Sequence, residues 1–215
     1  MTDSVLTDTL PLSTPASAAA ETSNPAQAFA DLGLAPELVA AVADLGFTQP
    51  TEVQARTIPQ AMHDTDADHF NDLMVSSQTG SGKTAAFLLP VLHTLIQQQA
   101  ERTRAESDAW AQKVAEAQAK GEPEPKRARR KDPTNPRNFK PAVPGALVLC
   151  PTRELAQQVA HDAIDLVRHV RGVRVAHVVG GMPYQMQIAK LQNADLVVAT
   201  PGRLLDLQRS VQIKL

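Results

Sequence analysis

Cysteine is nearly missing from these 215 residues. Cys150 stands alone, which excludes an internal disulfide framework and any cysteine-only metal cluster, and fits a reducing compartment. Aromatic residues make up 3% of the chain. No run approaches the roughly 18 apolar residues that span a bilayer, so no membrane role is expected. A formal net charge of −2 gives no global basic field, so any polyanion site must come from local charge. Residues 1–24 contain Asp3, Asp8 and Glu21 but no Lys or Arg. They lack the positive start of a secretory signal and the arginines of a transit peptide. Rich in Ser, Thr, Ala and Pro, they bury too little apolar surface to offset the entropy of ordering. The expectation is a disordered acidic tail on a cytoplasmic protein.

What is present begins with a second irregular region, from about 101 to 145. It holds 11 of the 21 basic residues, seven acidic ones and six of the 16 prolines. Residues 101–120 are helix-compatible and can prolong a preceding helix. Beyond Gly121 each proline removes an amide donor and restrains its neighbour, so long helices are excluded. The expected form is a flexible basic insertion within one domain covering 25–215. Lys126, Arg127, Arg129, Arg130 and Lys131 fit either a solvated tether or a non-specific contact to nucleic-acid phosphates.

Elsewhere short apolar runs alternate with helical patterns. Strands are expected at 73–77, 146–150, 173–179 and 195–200. Helices are expected at 84–99, 153–170 and 183–192, the second carrying Leu155, Val159, Ala163, Leu166 and Val170 on one stripe. That alternation predicts an α/β fold: a mostly parallel sheet with helices on both faces.

The first expected strand leads into Ser77-Gln78-Thr79-Gly80-Ser81-Gly82-Lys83-Thr84. Gly80 and Gly82 let the backbone bend around an anion, so that successive amides and a helix N-terminus face a phosphate. Lys83 supplies a charge for the outer phosphates and Thr84 a hydroxyl for Mg²⁺, the two residues expected to be catalytic. The usual pattern opens with Gly, where this chain has Ser77. Upstream, Gln49 carries an amide suited to the edge of adenine, Pro50 fixes the backbone beside it, and Thr51 can cap the helix that carries Gln54. Between these segments lies a longer loop containing His63 and His69 among acidic residues, read as solvated in preference to metal-binding. Pro151, Thr152, Thr200, Pro201 and Gly202 each follow an expected strand, where open α/β sheets bind ligands. With Arg153, Gly180, Gly181 and Arg203 they suit phosphodiester oxygens without reading bases.

Together these segments resemble the DEAD-box RNA helicases of superfamily 2, and within them the first of two RecA-like domains. Phe29 and residues 46–54 are similar to the Q motif, in which a Gln reads adenine and an upstream aromatic stacks on it. Residues 77–84 resemble motif I, with Ser77 where the family usually has Ala. "PTRELAQQ" at 151–158 resembles motif Ia, Gly180-Gly181 the glycine pair, and "TPGR" at 200–203 motif Ib. The resemblance implies an ATP-dependent RNA helicase of RecA-like P-loop NTPase fold. ATP and Mg²⁺ would be its cofactors, single-stranded or duplex RNA its partner through the sugar-phosphate backbone, and a second RecA-like domain its counterpart.

No Asp-Glu-Ala-Asp tetrad occurs in the 215 residues. In the family its acids hold Mg²⁺ and position the attacking water. The expectation is therefore an incomplete first domain, inactive alone, from a longer helicase. A non-catalytic nucleotide- or RNA-binding module is the alternative. A P-loop kinase leaves "PTRELAQQ" and "TPGR" unexplained. Oligomeric state is not legible.

Overall fold

The computed structural model describes residues 25–62, 72–121, 123, 125–127 and 141–215. The acidic tail, the two histidines of the 62–72 loop and the residues 128–140, with Arg129, Arg130 and Lys131, lie outside them.

Three helices precede the phosphate turn: α1 (Pro25–Ala30), α2 (Pro36–Asp44) and α3 (Glu52–Met62). Pro36 opens α2 at a position where the absent amide costs nothing, and Leu38, Val39, Ala41 and Val42 bury one face. Gly46 ends it in the left-handed region at φ +78°. The Gly46 amide bonds to Ala43 O and that of Phe47 to Val42 O, a paired closure that turns the chain toward α3.

Helix α4 (Lys83–Ala119) runs 37 residues through Pro90, so residues 101–119 do prolong the helix expected at 84–99. The strands β1 (Ala146–Leu149), β2 (Val175–Val178) and β3 (Leu196–Ala199) form one parallel sheet in the order β1-β3-β2. Ala146 and Val175 both register with Leu196. Helices α5 (Arg153–Leu166) and α6 (Tyr184–Leu191) make the crossovers, and α7 (Pro201–Arg209) follows β3.

All four residues of β3 are buried, as a central strand covered on both faces requires. Leu196 and Val198 join a core with Leu88, Leu92, Ala156, Val159 and Ala163. Val197 and Ala199 turn the other way, onto Leu191, Leu204 and Leu207. The period-two alternation of the strand thus divides the interior into two layers.

Three expectations are corrected. Residues 73–77 form no strand: Met74 is 98% exposed, and among the described residues no strand pairs with this segment. An apolar run becomes a strand only with a ladder and a covering layer. Helix α5 stops at Leu166, where Val167 caps it, and not at Val170. Leu155, placed on its buried stripe, is exposed, because the buried face centres on Ala156, Ala160 and Ala163 and leaves Leu155 at its edge.

Candidate functional site

Helix α4 runs antiparallel to the strands. A side chain on Gly145, just before β1, would meet Leu95 and Gln98, and Arg102 pairs with Asp195, just before β3, at 3.1 Å. Leu95 stands 12 residues after Lys83, or about 18 Å along the axis. The start of α4 therefore lies toward the carboxyl ends of the strands. So do the turns after β1, β2 and β3, which neighbour one another at about 4.8 Å spacing.

The phosphate turn is braced by side chains. Gly80 and Gly82 both lie in the left-handed region, at φ +83° and +85°. A methyl group on Gly82 would also sit 2.5 Å from Gln54 Nε2, so conformation and space both demand glycine there. Thr51 and Gln54 cap α3 reciprocally: Thr51 N–H donates to Gln54 Oε1 at 3.0 Å, and Gln54 N–H to Thr51 Oγ1 at 3.3 Å. The same two side chains clamp the turn. Thr51 Oγ1 donates to Ser81 O at 2.8 Å and Gln54 Nε2 to Gly82 O at 3.2 Å. Ser77 donates to Ser81 Oγ at 2.5 Å, a brace that alanine cannot make. Lys83 Nζ donates to Ser77 O and Gln78 O at 2.5 and 2.6 Å, so an incoming phosphate competes only with neutral carbonyls for this cation. Gln78 and Thr79 are exposed beside it, and Thr84 is half-buried in the first turn of α4.

Gln54, 3% exposed, is the glutamine the fold brings to the phosphate turn. Gln49 is exposed and has no hydrogen bond among the described residues. Phe29, expected to stack on the base, has no exposed surface here and packs in the core with its ring 6.2 Å from that of Phe47 at a tilt of 38°.

On the other side the motif residues converge. Pro151, Thr152 and Arg153 are exposed after β1. Thr152 Oγ1 accepts Leu155 N–H at 3.2 Å as the cap of α5, leaving its hydroxyl proton to donate. A side chain on Gly181 would lie 2.6 Å from Arg153 Nη1, so the turn after β1 and the glycine pair touch. Arg153 forms no ion pair among the described residues, which leaves its charge for another partner. Pro201 and Gly202 are exposed in the first turn of α7, and nothing lies within 4 Å of where a Gly202 side chain would go. Thr200, the residue before them, makes no capping bond. Arg203 lies over the Tyr184 ring at 5.5 Å and donates to Met182 O at 3.4 Å. Burial pushes the Cys150 thiol up, which keeps it neutral beneath this surface.

Sequence reasoning missed Gln187, fully buried on α6. It lies four residues before buried Leu191, and a polar residue at a core-facing helical position was the available signal.

A parallel sheet covered on both faces, with a glycine-rich turn opening a long helix at the strands' carboxyl ends, defines a RecA-like P-loop NTPase domain. The family model for the DEAD/DEAH box helicase matches residues 51–214. ATP-dependent RNA helicase DeaD of Escherichia coli (strain K12) is 37% identical over 179 residues, covering 83% of this chain and 21% of that protein. The structure of RNA-helicase Prp28 from Chaetomium thermophilum bound to ADP aligns at TM-score 0.59 and 30% identity, over 86% of this chain and 35% of that one. S. cerevisiae Dbp5 bound to RNA and ADP BeF3 aligns at 0.55 and 25%, over 87% and 35%. The chain belongs to the DEAD/DEAH box helicase family. It spans about a fifth of the length of the DeaD relative.

Proposed function

We propose that these residues are the ATP-binding part, and one half of the RNA-backbone surface, of an ATP-dependent RNA helicase that remodels RNA duplexes. One observation carries the reading: the braced phosphate turn and the turns at 151–153, 180–181 and 200–203, each with exposed residues, lie toward the same end of the sheet. The nucleotide would sit on the 77–84 turn, with Lys83 leaving the Ser77 and Gln78 carbonyls for the outer phosphates. The fit for Mg²⁺ is a single hydroxyl, that of Thr84, and such an ion takes its remaining ligands from phosphate oxygens and water. When bound it would neutralise charge on the phosphates. The RNA strand would lie over Thr152, Arg153, Gly181, Thr200, Gly202 and Arg203, held through phosphates and sugars and so without sequence preference. A second RecA-like domain closing over both ligands would couple hydrolysis to bending of the strand.

The test is nucleotide binding by calorimetry and steady-state phosphate release, with and without RNA, for these 215 residues and for a chain of the relatives' length. The short chain binds nucleotide through Lys83 and does not turn it over, because it contains no Asp-Glu-Ala-Asp tetrad. The longer chain hydrolyses ATP when RNA is present. RNA-stimulated turnover by the short chain, abolished by Lys83→Ala, overturns the role given to the tetrad. A folded, inert longer chain leaves the non-catalytic module.

A further inference from the structure

Residues 179–182 carry the glycine pair, yet no strand ladder covers them past Val178. Their conformation must be set by something else. Gln187 reaches back from α6 and spends both amide protons on them, donating to Val179 O at 3.0 Å and Met182 O at 3.1 Å. Its two acceptors bracket Gly180 and Gly181, with Gly181 in the left-handed region at φ +79°. Arg203 Nη2 shares Met182 O at 3.4 Å. One carbonyl thus joins the glycine turn, Gln187 and the motif Ib arginine. Two buried atoms of this cluster have no partner among the described residues: Gln187 Oε1, an acceptor, and Arg203 Nε, a donor. Unpaired groups in a buried site are unfavourable, and an arrangement carrying both is readily redrawn when a ligand arrives.

We propose that Gln187 is a positioning residue for RNA-backbone binding. It does not touch the strand. By holding Val179 O and Met182 O it aims the Gly180–Gly181 amides outward, keeps the turn against Arg153, and sets the height of Arg203 over Tyr184. This rests on the RNA reading of the 151–153, 180–181 and 200–203 surface.

The experiment measures affinity for a fluorescent single-stranded RNA at several salt concentrations, affinity for ADP, and amide hydrogen exchange. Gln187→Leu keeps the side chain's bulk and removes both donors. It should weaken RNA binding at least tenfold, leave ADP affinity within twofold, and speed exchange at Gly180 and Gly181 but not in β3. Its salt slope should match that of the unmodified protein, because the amides it positions are uncharged and no cation leaves a phosphate. Arg203→Ala, by contrast, should lower the slope by about 0.7 if one phosphate contact goes. Gln187→Glu supplies the second readout. A buried carboxyl is pushed up in pKa, and once protonated it donates one of the two lost bonds. Its RNA affinity, relative to the unmodified protein at the same pH, should recover as pH falls, while that of Gln187→Leu stays low. Unchanged RNA affinity in both variants overturns the proposal. So does exchange at Gly180 and Gly181 that stays as slow as in the unmodified protein, which would free the turn from Gln187. If the unmodified chain binds RNA no better than one carrying Arg153→Ala and Arg203→Ala together, the RNA surface itself falls, and the positioning role with it.

Discussion

The glycine-rich turn at 77–84 and the turns that follow the three strands are built by different means. The 151–153, 180–181 and 200–203 turns stand on three laddered strands, with β3 buried throughout. The phosphate turn follows an exposed, unladdered segment at 72–78 and is held from one side by Thr51 and Gln54 and from within by Lys83 and Ser77. Backbone bonds in a ladder reinforce one another and exchange slowly, whereas side-chain clamps on an exposed loop open locally. The sheet under the 151–153, 180–181 and 200–203 turns is therefore the rigid part, and the 77–84 turn has room to rearrange. Functional motifs need not share the stability of the sheet they adjoin.

The comparison breaks most visibly at Lys83. In a chain of the relatives' length, Lys83→Ala should lower ATP turnover at least about 100-fold, as loss of a charge on developing phosphate charge does. RNA affinity without nucleotide should stay within twofold. A parallel collapse of RNA binding, seen by fluorescence anisotropy, would show that the two regions are one unit. The next effect is on folding. Leu196→Ala empties a fully buried position in β3 and should cost about 2–5 kcal/mol in urea unfolding. Met74→Ala, in the exposed segment, should change it by less than about 0.5 kcal/mol. Equal losses would mean that residues 72–78 are as firmly packed as the sheet.

That asymmetry also explains what the sequence revealed. The runs at 146–150, 173–179 and 195–200 hold strands because each finds a laddered neighbour, and the central one two covering layers as well. The run at 73–77 has similar composition, but composition does not supply a partner. Glycines, Lys83 and the capping Thr51 were legible because their chemistry is local: a left-handed turn, a cation, a reciprocal cap. Phe29 was not. Whether an aromatic faces a ligand or the core depends on what packs beside it, here Phe47, 18 residues away. Gln187 was missed for the same reason, since its partners are carbonyls whose position follows from the path of the turn after β2.

Two glutamines sharpen the picture of the clamp. Gln54→Ala removes half of the reciprocal cap and the bond to Gly82 O, so α3 and the phosphate turn should both loosen, by about 0.5–2 kcal/mol in unfolding. ADP and GDP affinities should fall together. Gln49→Ala touches neither bond. If Gln49 reads adenine, it should leave stability unchanged and erase about 1–3 kcal/mol of preference for ADP over GDP. Calorimetry with both nucleotides separates the two. Equal ADP and GDP affinity in the unmodified chain would sink the base-reading role of Gln49.

The smallest effect is on pH dependence, and it concerns the helices that carry the clamp. His93 Nδ1, on α4, accepts the Ala35 N–H at 3.0 Å, just before α2, and only a neutral ring has that lone pair. Burial lowers its pKa below 6.5. His177 is lowered too, by burial first and then by Lys190. In both cases the unfolded chain binds a proton more readily than the folded one. Stability is therefore complete above about pH 6.5 and declines as pH falls through the folded values. Asp162 has the opposite sign: burial raises its pKa, so protonation there favours the fold, but from the lower carboxylate range. Between pH 7.5 and 5.5 the histidines should dominate, and the urea midpoint should be lower at 5.5. His93→Gln keeps an acceptor for Ala35 without titrating, and should remove part of that decline. A midpoint that rises at pH 5.5, or a decline untouched by the substitution, would show that the α2–α4 contact is not protonation-sensitive. The cap at Ala35 would then be indifferent to the ring that faces it.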